Sequence, residues 1–243
     1  MKAMIFAAGL GTRFKPWTDK HPKALALVNG KSLLEHNVRY LQQYGITDLV
    51  INVHHHAEQV MEAVAEASGW GSQIQISDER GELLETGGGL LKAAELLKSD
   101  QPFLTLNADV LTDLNLYHIL TAHQKNKALI TLAVTDRKSD RVFLMDSTNR
   151  LCGWKNNKTG EEKISIPEQH LHSMAYSCVA VFQPNVFEII PQRGKFSLTE
   201  TYLSLAAHDL VQGYDHSGDR FVDVGKPESV EVAERLFVER WEV

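Results

Sequence analysis

The chain has 243 residues, 43% of them hydrophobic, with 25 Lys and Arg against 31 Asp and Glu and a formal net charge of −6 at pH 7. That composition supports a full-sized core and gives no general basic surface for nucleic acid. No stretch approaches the ~20 apolar residues of a membrane span; the apolar N-terminal run breaks at once into glycines and charges, unlike a secretory signal, and Cys152 and Cys178 form no CxxC, so a cytoplasmic chain with ordinary thiols is expected.

In chain order, the first half alternates strand and helix patterns. Lys2–Ala8 is a short apolar run ending in glycines, as buried parallel strands do. Ser32 and Glu35 have capping-box spacing ahead of an amphipathic helix that stops before Gly45. Then come a strand at Asp48–Val53, a helix at Ala57–Ala67, a strand at Gln73–Ser77 and a helix at Gly87–Lys98. Pro102–Leu106 is the next strand, Leu116–Lys125 a helix, and Ala128–Val134 a strand. This alternation predicts an α/β fold with a doubly wound, mostly parallel Rossmann-like sheet. Beyond about residue 135, Val142–Met145, Arg150–Trp154 and Met174–Phe182 predict strands added antiparallel to one sheet edge. Helices at Ser197–Ala207 and Glu228–Glu239 bracket a strand at Asp219–Val224. One domain is expected over residues 1–243, its two halves dividing at about residue 135.

In such a sheet ligands lie beyond the carboxyl ends of the strands, which selects the loops Ala8–Pro22, His54–His56, Asp78–Gly89 and Asn107–Asp113. The first is the most informative. Glycines at Gly9 and Gly11 let the backbone turn tightly and aim N–H groups at phosphate oxygens. The dinucleotide fingerprint needs a third glycine where Phe14 stands, and GxxxxGK[ST] does not occur. What remains is GxGTR with Lys23 ten residues beyond Arg13. Residues 1–31 carry +5, leaving −11 elsewhere; a local cationic island in an acidic protein suits a small polyanion such as a triphosphate.

These residues resemble the sugar-1-phosphate nucleotidyltransferase family, whose N-terminal motif is GxGTR followed by PK, here Gly9–Arg13 and Pro22-Lys23. The likeness continues through LLETGGG (83–89), NAD (107–109) and VDVG (222–225). The ETGGG form is closest to N-acetylmuramate 1-phosphate uridylyltransferases and also similar to heptose and mannose 1-phosphate guanylyltransferases. The resemblance implies an enzyme that takes an NTP and a sugar 1-phosphate, forming an NDP-sugar and pyrophosphate. It implies nucleotide contacts from Ala8, Gly9, Gly11, Thr12, Glu85, Thr86, Gly87 and Gly88, and Mg²⁺ on Asp109 and Asp223. Two carboxylates set among apolar neighbours near a triphosphate loop are themselves suited to that ion.

Phosphoryl chemistry of this kind brings two anions together, so positioning and electrostatics must supply most of the rate. Arg13 is assigned to the β- and γ-phosphates, Lys23 to the α-phosphate or the incoming sugar phosphate, and Asp109 to the reacting centre. Sugar contacts are expected from Asp140, Arg141, Tyr176 and Ser177. Cys178 replaces a glycine common in the family, and the glutamate–lysine pair many relatives place on the sugar phosphate has no counterpart beside Trp154-Lys155. A non-catalytic nucleotide-sugar sensor would have no reason to keep Arg13, Lys23, Asp109 and Asp223 together. A glycosyltransferase should carry DxD where Asn107-Ala108-Asp109 stands. Three successive histidines, His54–His56, cannot all point one way from an extended strand and are read as solvated or hydrogen-bonded residues of a strand-end loop. A monomer or small homo-oligomer is expected.

Overall fold

The structure, a computed structural model, describes residues 1–238. Its strands are β1 (Lys2–Phe6), β2 (Leu27–Val28), β3 (Lys31–Ser32), β4 (Asp48–Val53), β5 (Gln73–Asp78), β6 (Phe103–Asn107), β7 (Val110–Thr112), β8 (Ile130–Thr135), β9 (Arg141–Met145), β10 (Leu151–Asn156), β11 (Glu162–Ile164), β12 (His172–Phe182), β13 (Val211–Asp215) and β14 (Phe221–Asp223). The helices are α1 (Leu33–Gln42), α2 (Ala57–Glu66), α3 (Glu85–Lys92), α4 (Ala94–Leu97), α5 (Leu116–Asn126), α6 (Val186–Ile189), α7 (Leu198–Ala206) and α8 (Glu228–Leu236).

The N-terminal half is a parallel sheet in the order β5-β4-β1-β6. β12 docks antiparallel on β6, and β8, β9, β10 and β11 extend the sheet from there, as the antiparallel additions predict. β13 lies parallel to β8. The parallel strands are buried on both faces, which is why they read as continuous apolar runs. β1 shows it residue by residue: Met4 packs in the cluster that holds Leu90 and Leu97 of α3 and α4, while Ala3 and Ile5 pack in the one that holds Val38, Val60 and Ile119 of α1, α2 and α5. Helices therefore cover both faces, the doubly wound arrangement.

Local signals decide where elements start and stop. The Ser32 hydroxyl accepts a hydrogen bond from the Glu35 N–H at 3.0 Å, capping α1. Gly45, at φ 71°, lets the chain leave that helix. The single helix expected over Gly87–Lys98 is two, broken at Ala93 (φ −82°, ψ 1°). Leu90, Ala93 and Leu97 nonetheless enter one core cluster. α8 ends at Leu236, short of the expected Glu239, which lies outside the described residues.

β1 is flanked by β4 on one side and β6 on the other, so the strand order reverses between β1 and β6. A crevice opens beyond the carboxyl ends of strands at such a point. The loop after β1 carries Gly9–Arg13, and the loop after β6 carries Asp109.

Candidate active site

The glycine-rich segment Gly9–Arg13 is fastened from below. The Ala7 N–H donates to Asn52 Oδ1 at 2.8 Å, and Asn52 Nδ2 donates to Glu79 Oε1 at 2.7 Å, tying the ends of β1, β4 and β5 together. Glu79 is fully buried, and burial raises its carboxyl above the ordinary glutamate range despite the bond from Asn52. Gly11 turns the chain at φ 61°; its carbonyl accepts from the Phe14 N–H and the Thr18 hydroxyl, and a methyl there would lie 2.8 Å from Thr18 Cγ2. Only glycine suits that conformation and that space. Phe14, where the dinucleotide fingerprint would have glycine, drops into an apolar cluster with Leu33, Leu111, Val222 and Phe237. That anchor leaves Thr12 and Arg13 on the cleft side.

Lys23 reaches across to Asp109, with Nζ 2.5 Å from Oδ2 and only 10% of its side chain exposed. A cation so enclosed needs a fixed anionic partner. Asp109 follows β6, and Asp223 ends β14, whose antiparallel pairing with β7 sets Asp223 opposite Val110. The Val224 N–H donates to the Asp109 carbonyl at 2.8 Å. Two short strands thus bring both aspartates to one place. Partial burial first, and the Asp109 charge second, raise the Asp223 carboxyl; Lys23, Arg13 and Arg137 pull it down. The Arg13 guanidinium lies 3.9 Å from Asp223 Oδ2. A methyl on Gly225 would come within 2.8 Å of Asp223 Oδ1 and 2.9 Å of Arg13 Nη2, so that glycine leaves room for both.

Two carboxylates repelling each other beside two cations fit a hard divalent cation that takes its remaining ligands from phosphates and water. Among the described residues no group of three His, Cys, Asp or Glu side chains is disposed to hold a metal. The histidine run follows suit. His54 contacts the Glu79 carbonyl at 2.7 Å, and His55 and His56 contact the Thr18 carbonyl at 3.1 and 3.3 Å, bracing the loops on either side.

Three concavities meet around this centre. One of about 220 Å³ is lined by Gly9, Gly11, Thr12, Arg13, Lys23 and Asp109. A largely apolar one of about 270 Å³ adjoins it at Phe6, Gly9 and Thr86, and takes in Ala8, Glu79 and Glu85. The third, about 740 Å³, begins at Arg13 and Asp223 and runs past Tyr176 and Cys178 to Trp154, Asp140 and Arg141. It is large enough for a phosphorylated sugar.

The family model for nucleotidyl transferases matches residues 2–239. The chain belongs to that family. Along 93% of both chains the transferase is 32% identical to an N-acetylmuramate alpha-1-phosphate uridylyltransferase of Neisseria meningitidis serogroup B. It is 30% identical to a mannose-1-phosphate guanyltransferase of Yarrowia lipolytica over 93% of its own length and 61% of that longer protein. A putative glucose-1-phosphate thymidylyltransferase of Bacillus anthracis shares its fold, with a TM-score of 0.79 at 17% identity over 98% of this chain and 96% of the other.

The transferase brings Arg13, Lys23, Asp109 and Asp223 together as expected, with Ala8, Gly9, Gly11, Thr12, Glu85 and Thr86 around them. Three expectations need correcting. Gly87 and Gly88 are not open to a ligand: their N–H groups donate to the Phe196 carbonyl at 2.9 and 3.2 Å, and methyls on them would strike Phe196 and Gly194. Their glycine identity serves the close packing of α3 on the segment before α7. Ser177 is fully buried and contacts His216 Nε2 at 2.8 Å, away from the cavity that Tyr176 and Cys178 line. Successive strand residues face opposite ways, so Tyr176 and Ser177 cannot both face one ligand. The glutamate sought beside Lys155 comes from β11, where Glu162 pairs with it at 3.4 Å. Neither of the two lines the large cavity, which Trp154 and Asn156 border instead.

Sequence reasoning passed over Asn52, Glu79, Gly225 and Arg137. Only Gly225 stood within a recognised motif.

Proposed function

We propose that this enzyme transfers a nucleoside monophosphate from an NTP to a sugar 1-phosphate, with UTP and N-acetylmuramate 1-phosphate as the favoured pair. The observation that carries the reading is the convergence of Arg13, Lys23, Asp109 and Asp223 where the phosphate-loop cleft and the large cavity share Arg13. A phosphate oxygen of the sugar 1-phosphate attacks the α-phosphorus in line, the α–β bridging bond breaks, and pyrophosphate leaves. The attacking oxygen is already ionised, so no general base is required. The backbone of Gly9–Thr12 cradles the triphosphate and Arg13 neutralises its leaving end. Lys23, held by Asp109, faces the α-phosphate. The adjoining apolar concavity at Ala8, Glu85 and Thr86 takes the base. Mg²⁺, held by Asp109 and Asp223, would draw charge from the phosphoryl oxygens and bring donor and acceptor together.

The Neisseria relative supports uridylyl transfer to N-acetylmuramate 1-phosphate, and we place that reaction among cytoplasmic steps that handle cell-wall sugars. The Yarrowia relative supports a second reading, GTP with mannose or heptose 1-phosphate, on the same machinery. Pyrophosphate release from the purified protein with Mg²⁺, each of the four NTPs and a panel of sugar 1-phosphates separates them. Release above all with UTP and N-acetylmuramate 1-phosphate is expected. Preference for GTP with mannose 1-phosphate would overturn the substrate choice, and no release with any pair would overturn the reaction.

A further inference from the structure

Arg137 follows β8 and borders the large cavity beside Asp223. Its guanidinium is fixed on two sides. Nη2 donates to the Tyr176 carbonyl at 2.6 Å, and the group lies over the Phe221 ring at 4.3 Å. Phe221 begins β14, the strand that ends in Asp223. β12 and β14 therefore clamp a planar cation at the reacting end of the cavity.

No carboxylate forms an ion pair with it among the described residues, although Arg13 pairs with Asp223 and Lys158 with Asp140 along the same wall. Desolvation pulls the Arg137 pKa down, and the charge of nearby Asp223 opposes it. A half-buried guanidinium without an acid partner is costly, and five N–H donors are more than one carbonyl can satisfy. Its fork matches phosphate oxygens two at a time, with the stack on Phe221 holding the plane.

We infer that Arg137 binds the phosphate of the incoming sugar 1-phosphate, an inference that rests on the function proposed above. It stands on the acceptor side of Asp223, whereas Lys23 and the phosphate loop stand on the nucleotide side. It supplies the acceptor-phosphate cation that Lys155, turned out of the cavity, does not. Arg141 and Lys226, which also line this cavity, surround it with further positive charge.

The test is steady-state kinetics of Arg137→Gln, Arg137→Lys and Phe221→Leu with each substrate varied in turn, on one sugar 1-phosphate with a carboxylate on the sugar and one without. For Arg137→Gln, KM for both sugar 1-phosphates rises about 10- to 100-fold, the scale of losing a charge-assisted bidentate contact, while KM for the NTP and the Tm stay near wild type. Arg137→Lys gives a smaller rise, because it keeps the charge and loses the fork, and Phe221→Leu a smaller one still. An unchanged acceptor KM in Arg137→Gln, with wild type turning over, overturns this inference alone. So does an equal rise in both KM values with a fallen Tm, which marks a structural role, or a rise confined to the carboxylate-bearing sugar. A wild type that releases no pyrophosphate overturns the functional reading and this inference with it.

Discussion

Between Asp223 and the guanidinium of Arg13 the chain leaves space for a hydrogen atom, and Gly225 provides it. Gly225→Ala should push the carboxylate or the guanidinium off its position while disturbing little of the core, since neither side chain is buried. Misplacing a reacting group by about 1 Å costs about 10²-fold in rate, so kcat/KM should fall by about that factor with Tm nearly unchanged; activity close to wild type would show that the alignment does not matter. Cys178 presents the opposite case. It sits at φ 57°, where β12 loses register between Tyr176 and Ala180, and the family's common glycine answers that backbone. The thiol is pushed up to about 12, chiefly by burial and next by the Asp109 and Asp223 charges, so it stays neutral beside the site. At this scale the sequence was legible where a residue type is rare in its setting, as with two aspartates among valines and alanines. It misled where glycine has two uses. Gly11 serves a turn, whereas Gly87 and Gly88 serve packing, and nothing in the letters separates them.

The helices and strands that carry these residues differ in how plainly they announce themselves. β4 reads DLVINV because both its faces are covered, and α1 declares its start through Ser32 and Glu35. β13 reads VQGYD, with buried Gln212 and a glycine breaking the apolar run, so its parallel pairing with β8 left no pattern to find. β14 falls inside the strand expected at Asp219–Val224, but its partner β7 is three residues, too short for any periodicity, and their pairing is what joins the two aspartates. α5 packs toward β8 through a buried polar contact, His123 Nδ1 to Thr131 Oγ1 at 2.9 Å. Burial lowers the His123 pKa from 6.5 to about 4. Between those values the unfolded chain binds a proton that the folded one refuses, so stability rises with pH through that window and levels off above 6.5. Taking the contribution of this one group, the protein should be about 2 kcal/mol less stable at pH 5 than at pH 7. Urea midpoints for wild type and His123→Gln at the two pH values measure it: the variant should lose most of that difference. An equal pH dependence in both would assign it elsewhere.

For the molecule as a whole, charge and topology agree. The cationic first 31 residues of an acidic chain fold around the point where the parallel sheet reverses its order, and the later, mostly antiparallel strands wall the large cavity beside it. The change from a parallel sheet to mostly antiparallel additions was legible from the change of pattern near residue 135. On the wall of the large cavity, Asp140, Arg141 and Tyr176 were named from the sequence, whereas Arg137 and Asn156 were not, because they come from separate strands and turns and share no motif. The central claim is that Asp109, Lys23, Arg13 and Asp223 form one nucleotidyl-transfer centre. Its most direct test follows α-³²P-labelled UTP with N-acetylmuramate 1-phosphate and Mg²⁺, comparing wild type with Asp109→Asn. The account predicts that label enters a sugar nucleotide, with one pyrophosphate released per transfer, and that the variant, whose Tm falls because Lys23 loses its anionic partner, is slower by about 10²–10³-fold at a temperature where both proteins are folded. Label recovered as free UMP or UDP, or transfer undiminished in the variant, would contradict it.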